Sequence, residues 1–330
     1  MNVLLTGGAG YIGSHVVNAL FRHGHKIVIY DNFSNSQKTI LNNLKKLIKQ
    51  DLIVIEDDIR NTVSLINTFN SYSIDSVIHL AGLKSIGDSN HFPIEYYSNN
   101  VGGAISLLEA MRNTKVKNII FSSSATVYGE PQYLPIDENH PTLPTNPYGR
   151  TKLYIEEMLR DASIADPSLK IICLRYFNPV GADNSGLIGE KPNGVPNNLI
   201  PYVAQVVSGK LEKLFIFGND YPTSDGTGIR DYIHISDLAL GHTAALNHLV
   251  NHQGWGAYNL GSGSGYSVCE IVRVFETLCG HTIKTEIAQR RSGDVAVCYA
   301  AINKAKTELG WQPKENLHSM AQSVLNFENH

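Results

Sequence analysis

Val3-Leu4-Leu5-Thr6-Gly7-Gly8-Ala9-Gly10-Tyr11-Ile12-Gly13 is the stretch that decides the fold of this 330-residue chain. An apolar strand enters a glycine-rich turn, and the apolar stripe Ile12, Val16 and Leu20 predicts a helix directly after it. Glycines stand three apart at Gly7, Gly10 and Gly13, and Gly8 also completes a G-x-G-x-x-G pattern. Because glycines lack side chains, backbone N–H groups there can approach a pyrophosphate at the positive end of the helix. The stretch therefore predicts a dinucleotide-binding unit.

A carboxylate follows the second expected strand. The apolar run Lys26 to Tyr30 ends in Asp31, eighteen residues after Gly13. A carboxylate at this place accepts hydrogen bonds from a ribose diol and repels a 2′-phosphate, and no arginine follows within residues 32–36 to reverse that preference. The sequence predicts NAD rather than NADP.

Tyr148 and Lys152 stand four apart in Tyr148-Gly149-Arg150-Thr151-Lys152, downstream of Ser122-Ser123-Ser124. On a helix such residues share one face, so the ammonium can favour the phenolate and lower the tyrosine pKa from about 10 toward physiological pH. Such a tyrosine can take a hydroxyl proton while hydride leaves the same carbon. Y-x-x-x-K alone is common on protein surfaces, and it is the serines and glycines that favour the catalytic interpretation here.

The order of apolar and helical segments predicts an α/β fold. Strand-like runs alternate with helical stretches through the first half, which indicates a Rossmann-type doubly wound parallel sheet with helices on both faces. After about residue 178 Gly and Pro become frequent, which suits a smaller C-terminal α/β substrate lobe. We expect a NAD-binding domain over 1–178, with a returning segment near 231–260, and a substrate-binding lobe over 179–330.

Composition excludes several classes of protein. The formal charge of −3 offers no basic field for nucleic acid. Four scattered cysteines without a C-x-x-C pair suggest neither a disulfide framework nor a zinc site. No apolar stretch approaches the about 20 residues of a membrane span, and the first residues already form a core strand rather than a signal peptide. We expect a cytoplasmic enzyme with no metal.

Longer motifs resemble one family. Residues 6–15 (Thr-Gly-Gly-Ala-Gly-Tyr-Ile-Gly-Ser-His), 122–129 (Ser-Ser-Ser-Ala-Thr-Val-Tyr-Gly) and the Tyr148/Lys152 pair look like an extended short-chain dehydrogenase/reductase. Residues 175–182 (Arg-Tyr-Phe-Asn-Pro-Val-Gly-Ala), 196–199 (Pro-Asn-Asn-Leu), 225–234 (Asp-Gly-Thr-Gly-Ile-Arg-Asp-Tyr-Ile-His) and 290–294 (Arg-Arg-Ser-Gly-Asp) narrow the resemblance to the UDP-hexose 4-epimerases, over nearly the whole chain.

The resemblance implies a mechanism and a set of site residues. Tyr148 takes the 4-hydroxyl proton as hydride passes to NAD, Ser124 bonds the same oxygen, and Lys152 holds the nicotinamide ribose. The implied NAD site is lined by Gly7, Gly10, Tyr11, Ile12, Gly13, Asp31, Asn32, Asn35, Ser36, Asp58, Ile59, Ala81, Gly82, Lys84, Asn99, Ser122, Tyr148, Lys152 and Tyr176. The implied UDP-sugar site is lined by Ser124, Asn178, Asn198, Leu199, Arg230, Tyr232, Arg291, Asp294 and Cys298. Family members are commonly homodimers.

The same residues also bear on three other functions. Sugar 4,6-dehydratases of this superfamily carry an acidic pair just after the serine or threonine, where this chain has Ala125 and Thr126. A net NAD-linked nucleotide-sugar dehydrogenase or reductase stays open, because Tyr148 and Lys152 serve it equally. A non-catalytic NAD-sensing module is disfavoured, because such proteins usually lose one of those two residues.

Cys298 bears on the size of the sugar that the substrate pocket can accept. In family members restricted to UDP-glucose and UDP-galactose, the matching position is typically a tyrosine that closes the pocket beside the sugar's C2. A small residue leaves room for an acetamido group, so the resemblance implies turnover of UDP-GlcNAc and UDP-GalNAc as well. The open alternative is that the adjacent Tyr299 swings in to replace the missing ring.

Overall fold

A computed structural model describes residues 1–191, 194, 196, 198–291 and 293–329 of the protein. Asn197 and Ser292, which belong to two of the quoted motifs, lie outside these described residues. The strands are β1 Asn2–Thr6, β2 Lys26–Asp31, β3 Ile53–Glu56, β4 Ser76–His79, β5 Asn118–Ser124, β6 Lys170–Tyr176, β7 Asn178–Val180, β8 Leu214–Phe217, β9 Ile229–His234, β10 Gly254–Leu260, β11 Gly265–Ser267, β12 Thr285–Ala288 and β13 Val297–Cys298. The helices are α1 Tyr11–Arg22, α2 Thr39–Ile48, α3 Thr62–Tyr72, α4 Ile86–His91, α5 Pro93–Tyr96, α6 Gly102–Thr114, α7 Pro147–Ala165, α8 Leu199–Val207, α9 Ile235–Leu249, α10 Val268–Cys279, α11 Asn303–Glu308 and α12 Leu317–Glu328.

Within the described ranges, seven parallel strands form one sheet in the order β10-β6-β5-β4-β1-β2-β3. The chain runs outward from β1 to β3 and then returns to the other side of β1 with β4. A crevice opens outside the carboxyl ends of the strands at such a reversal, and ligands of α/β proteins bind there. The sheet confirms the predicted Rossmann-type doubly wound architecture.

Both faces of this sheet are covered because strand side chains alternate between them. Val3 and Leu5 of β1 pack into an apolar cluster with α1, α2 and α9. Leu4 points the other way, into a cluster with α3, α6 and α7. All three side chains are fully buried. The carboxyl ends of the strands are therefore the part of the sheet where a ligand can reach the backbone.

The C-terminal part builds a smaller sheet, in which β11, β9 and β13 follow one another and β7 also pairs with β9. Val203 of α8, Phe275 of α10 and Met320 of α12 pack in its apolar cluster. The chain also returns to the first sheet, because α9 packs on α1 and β10 pairs with β6. The domain boundary at residue 178 stays a prediction. In the described part of the chain, no helix has the length and apolar character to cross a bilayer.

Candidate active site

The glycine turn lies at the point where the strand order reverses, between the ends of β1 and β4. Gly7 has a φ of +71°, and a Cβ there would lie 2.7 Å from the backbone N of Ala81. A Cβ on Gly13 would lie 2.2 Å from the carbonyl oxygen of Gly7. α1 begins at Tyr11 with Gly10 as its N-cap and no side-chain hydrogen bond to its first turn. The first N–H groups of α1 therefore face a cradle that side chains do not fill, as a phosphate requires.

Asp31 ends β2 beside this turn. Its carboxylate accepts hydrogen bonds from the N–H of Ala9 at 2.9 Å and of Phe33 at 2.9 Å, and from the hydroxyl of Ser36 at 3.2 Å. These bonds fix the carboxylate against the glycine turn. Two carboxylate oxygens offer about four acceptor positions, so capacity remains for a ribose diol.

Asp58 continues the same rim beyond β3. It accepts from the side-chain amide of Asn32 at 3.2 Å and pairs with Arg60 at 2.8 Å. The hydrogen bonds from Arg60 hold the pKa of Asp58 well below its usual range. Asn35 is exposed at this rim, whereas Ile59 is a buried core side chain.

Tyr148, Ser124 and Lys152 come together at the carboxyl end of β5. Tyr148 is the second residue of α7, whose N-cap Asn146 accepts a hydrogen bond from the N–H of Gly149 at 2.9 Å. The Lys152 ammonium donates to the carbonyl oxygen of Ser122 at 2.6 Å and lies 5.8 Å from the centroid of the Tyr148 ring. Ser124 is the last residue of β5 and lies close enough to Tyr148 to oppose the rise in the pKa of that phenol. The i, i+4 spacing and the serine strand thus meet in one place, as predicted.

The expected lowering of the Tyr148 pKa is wrong for this chain. Burial raises the pKa of Tyr148 to about 12, and the nearby Ser124 offsets only part of that rise. Burial also lowers the pKa of Lys152 to about 8, against the nearby charge of Glu156. Removal from water disfavours the charged form of either group, and here it outweighs the effect of Ser124 on Tyr148 and that of Glu156 on Lys152.

The remaining predicted cofactor residues follow β4 or lie nearby. Ala81, Gly82 and Lys84 form the segment after β4, and Tyr11 of α1 donates its hydroxyl to the carbonyl oxygen of Gly181 at 2.7 Å. The Tyr176 side chain belongs to the apolar core, where its hydroxyl lies 2.5 Å from Nε2 of His242.

Asn100 is a residue of this region that the sequence did not suggest. It lies in a π-helical turn, Tyr97–Val101, a feature that is frequent at functional sites. The side-chain oxygen Oδ1 of Asn100 accepts hydrogen bonds from the backbone N–H of Leu83 at 2.8 Å and from the side-chain amide of Asn99 at 3.0 Å. The side-chain amide of Asn100 donates to the hydroxyl of Thr151 at 3.1 Å. It therefore ties the segment after β4 to α7. No local pattern signals it, because its partners are distant in sequence.

The predicted UDP-sugar residues lie on the elements of the smaller lobe. Arg230 lies 3.7 Å from Asp294, and the Arg291 guanidinium stacks 3.9 Å from the Phe217 ring centroid. The side-chain amide of Asn198 donates to Glu190 at 3.4 Å. Leu199 begins α8, Asn178 begins β7, and Tyr232 is buried within β9.

Glu190 connects the two predicted sites, although the sequence did not single it out. It accepts from Asn198 on the substrate side and pairs with Lys84 at 3.2 Å on the cofactor side. Glu190 therefore joins one residue of the predicted cofactor site to one residue of the predicted UDP-sugar site.

Cys298 ends β13 and Tyr299 directly follows it, and the two side chains pack against different neighbours. Cys298 packs against the cluster that contains Val127 and Phe177, next to the serine strand end. The Tyr299 ring lies beside Gly265, where an added Cβ would be 3.4 Å from Cδ1 of that ring. Tyr299 therefore packs beside Gly265 rather than in the cluster that Cys298 contacts.

In the ranges that the structure describes, no three His, Cys, Asp or Glu side chains group as a metal site would need. The four cysteines are free thiols.

Comparison with known proteins gives matches over the full length. The family model described as GDP-mannose 4,6 dehydratase matches residues 4–324. UDP-glucose 4-epimerase of Bacillus subtilis (strain 168) is 53% identical over 329 residues, which span 100% of this chain and 97% of that protein. A crystal structure of UDP-glucose-4-epimerase from Stenotrophomonas maltophila, with bound NAD and formylated UDP-arabinopyranose, has a TM-score of 0.98 at 43% identity and covers 100% of this chain and 98% of its own. The UDP-Glc/GlcNAc 4-epimerase of Campylobacter jejuni has a TM-score of 0.86 at 37% identity, with 99% of each chain covered.

Proposed function

This chain belongs to the UDP-glucose 4-epimerase family, and we propose that it interconverts UDP-glucose and UDP-galactose by inverting carbon 4 of the hexose with NAD as its cofactor. The observation that carries the proposal is the meeting of Tyr148, Ser124 and Lys152 at the carboxyl end of β5. That end lies two strands from the glycine turn in the sheet, so a proton acceptor and a dinucleotide cradle open into the same crevice.

The chemistry follows from the substrate. C4 of a hexose carries no acidic C–H, so its inversion requires oxidation of that carbon and reduction on the other face. NAD, which the glycine turn and Asp31 would hold, would supply this chemistry as a hydride acceptor and donor. Tyr148 takes the proton of the 4-hydroxyl and gives it back, and Ser124 hydrogen-bonds the same oxygen. The Lys152 ammonium stabilises the phenolate that forms. The 4-keto sugar turns within the cleft between the two events.

The residues of the glycine turn fit NAD. The Cβ positions of Gly7 and Gly13 are blocked by backbone, which keeps the first N–H groups of α1 open to a pyrophosphate. The fixed carboxylate of Asp31 favours a free ribose diol over a 2′-phosphate.

A wider substrate range is supported by Cys298. The thiol of Cys298 is smaller than a tyrosine ring and packs with the cluster that contains Val127 and Phe177, whereas Tyr299 packs beside Gly265. The Campylobacter jejuni relative is described as acting on both UDP-Glc and UDP-GlcNAc. We extend the proposal to UDP-GlcNAc and UDP-GalNAc on this basis.

A homodimer is supported by an exposed apolar surface. Ile94 on α5, with the preceding Phe92, and Tyr154 and Ile164 on α7 are each at least half exposed. α5 and α7 contact each other, so part of this surface is continuous. Contiguous apolar surface of this kind marks an interface, and a second copy of the chain is the partner we propose.

The test uses the purified protein. Incubation with UDP-galactose should give UDP-glucose without added nucleotide, and heat denaturation should release NAD, identified by mass. Light scattering on the same sample gives the molecular mass. Accumulation of NADH equal to the sugar consumed would favour a net dehydrogenase, and absence of sugar conversion would reject the proposal.

A further inference from the structure

A buried carboxylate lies one turn beyond Lys152 on α7. Glu156 stands four residues after Lys152 and eight after Tyr148, so the three side chains share one face of the helix. Only 1% of Glu156 is exposed. Its carboxylate accepts a hydrogen bond from the hydroxyl of Ser123, the middle residue of the serine triplet. Glu156 therefore contacts the serine strand end from the helix that carries Tyr148 and Lys152.

Arg175 of β6 pairs with this carboxylate through two parallel bonds. Its Nε donates to Oε1 at 3.0 Å and its Nη2 to Oε2 at 2.6 Å. The exposed fractions of the two side chains are 4% and 1%. Arg175 also donates to the hydroxyl of Tyr128 at 3.0 Å, and Tyr128 donates to Asn259 at 2.7 Å. A buried ion pair is often no more stabilising than an apolar pair of the same size, so stability alone gives no reason for its presence.

The groups that face Lys152 leave Glu156 as its counter-charge among the described residues. On β4, burial lowers the pKa of His79 to about 3, so that ring is neutral. On β5, the ammonium lies 4.9 Å from the Phe121 ring and donates to a backbone carbonyl. On its own helix, Tyr148 is a neutral phenol because burial raises its pKa to about 12. On β6, Arg175 is a second cation that pairs with Glu156, and of these two charges it is that of Glu156 that acts on Lys152.

We propose that Glu156 and Arg175 form a positioning pair for Lys152. Arg175 holds the Glu156 carboxylate in place through two hydrogen bonds. Glu156 in turn favours the charged form of the Lys152 side chain and holds the serine strand end against α7. The inference rests on the proposed function, in which Lys152 is the cation of the active site.

The direct measurement is the titration of Lys152. In protein labelled with 13C at lysine Cε, the Lys152 resonance is assigned by its absence in Lys152→Met. We expect a wild-type midpoint near pH 8. The double variant Glu156→Leu with Arg175→Met removes both charges without leaving either unpaired, and it should titrate at least about one pH unit lower. Glu157→Gln is the matched control, because that neighbouring carboxylate is exposed and pairs with Arg160 on the surface.

An unchanged midpoint in the folded double variant would overturn the proposal. If that variant does not fold, the titration of the wild-type protein still tests the proposal. A Lys152 midpoint at or below about pH 7 in the wild type would show that no counter-charge supports Lys152. The alkaline limb of the kcat/KM profile should move with the NMR midpoint, which a purely structural pair would not produce. A wild type without epimerase activity would reject the proposed function, while the NMR titration would still test the pair.

Discussion

Tyr148 and Lys152 lie four residues apart on one helix face, yet the pKa of each is shifted in the direction that favours its neutral form. Burial raises the pKa of the phenol to about 12 and lowers that of the amine to about 8. The spacing predicted their contact but not these directions, because a sequence pattern does not give the depth at which a pair is buried. The hydroxyl of Ser124 is the neighbour that favours the phenolate.

Replacing Tyr148 with Phe removes the proton acceptor and keeps the ring. We expect turnover of UDP-galactose to fall by about 10²–10⁴-fold, with the folded state and the nucleotide content nearly unchanged. Steady-state kinetics with circular dichroism provide the measurement. Tyr133→Phe is the control, because that tyrosine is exposed on another loop. Near wild-type turnover by Tyr148→Phe would refute the assigned role.

Replacing Cys298 with Tyr restores the ring that narrows the pocket. UDP-GlcNAc turnover should fall by at least about tenfold, while UDP-glucose turnover is spared, because pocket shape discriminates by steric exclusion. Tyr299→Phe should leave both activities intact, since Tyr299 packs beside Gly265. Equal loss of both activities in Cys298→Tyr, or a wild type that does not turn over UDP-GlcNAc, would contradict the wider substrate range.

At the scale of elements, β1, α1 and β2 could be predicted because each is a continuous local pattern that ends in a glycine turn or a carboxylate. The smaller sheet could not be predicted from the sequence in this way. Its strands β7, β9, β11 and β13 are two to six residues long and come from segments that are distant in sequence. Such short strands carry little periodicity, so tertiary pairing rather than local pattern decides them.

The same distinction applies to the site. The glycines, Asp31 and the Tyr148–Lys152 spacing were visible because each belongs to a short motif within the sequence. Asn100 and Glu190 were not, since Asn100 bonds Thr151 across 51 positions and Glu190 pairs with Lys84 across 106.

Gly13 tests the strand–turn–helix unit directly. In Gly13→Ala the new Cβ would lie 2.2 Å from the Gly7 carbonyl oxygen, so the turn must shift. We expect a loss of about 1–3 kcal/mol in the free energy of unfolding together with reduced nucleotide retention. Thermal unfolding and nucleotide content are the readouts. Gly87→Ala in α4 is the control, because its nearest neighbouring atom is 4.0 Å away; equal behaviour of the two variants would show that the close approach is unimportant.

At the scale of the whole molecule, buried histidines make the fold sensitive to acid. Burial lowers the pKa of His15 to about 4, of His79 to about 3 and of His242 to about 4. The unfolded chain binds protons at these rings near pH 6.5, so between pH 6.5 and about 4 it holds more protons than the folded chain. Stability is therefore lost as pH falls through that range. Asp231 partly offsets this loss, because burial raises its pKa to about 6 in the folded chain. As the pH falls, the folded chain therefore binds a proton at Asp231 before the unfolded chain does.

The free energy of unfolding should consequently be lower at pH 5 than at pH 7.5, by on the order of 4 kcal/mol. Equilibrium urea unfolding at the two pH values measures the difference. His23→Gln, at an exposed ring, should leave it unchanged. A stability that is flat over this range would mean that the buried histidines do not titrate as their burial indicates.

In the proposed reaction, hydride leaves C4 of the sugar and returns to the same carbon, while Tyr148 moves the proton of the 4-hydroxyl group. The most direct test is conversion of UDP-galactose that carries deuterium at C4, followed by mass spectrometry and NMR of the product. We expect UDP-glucose that retains the deuterium at C4, with no net NADH. Loss of the label to water, or a keto product with stoichiometric NADH, would contradict it.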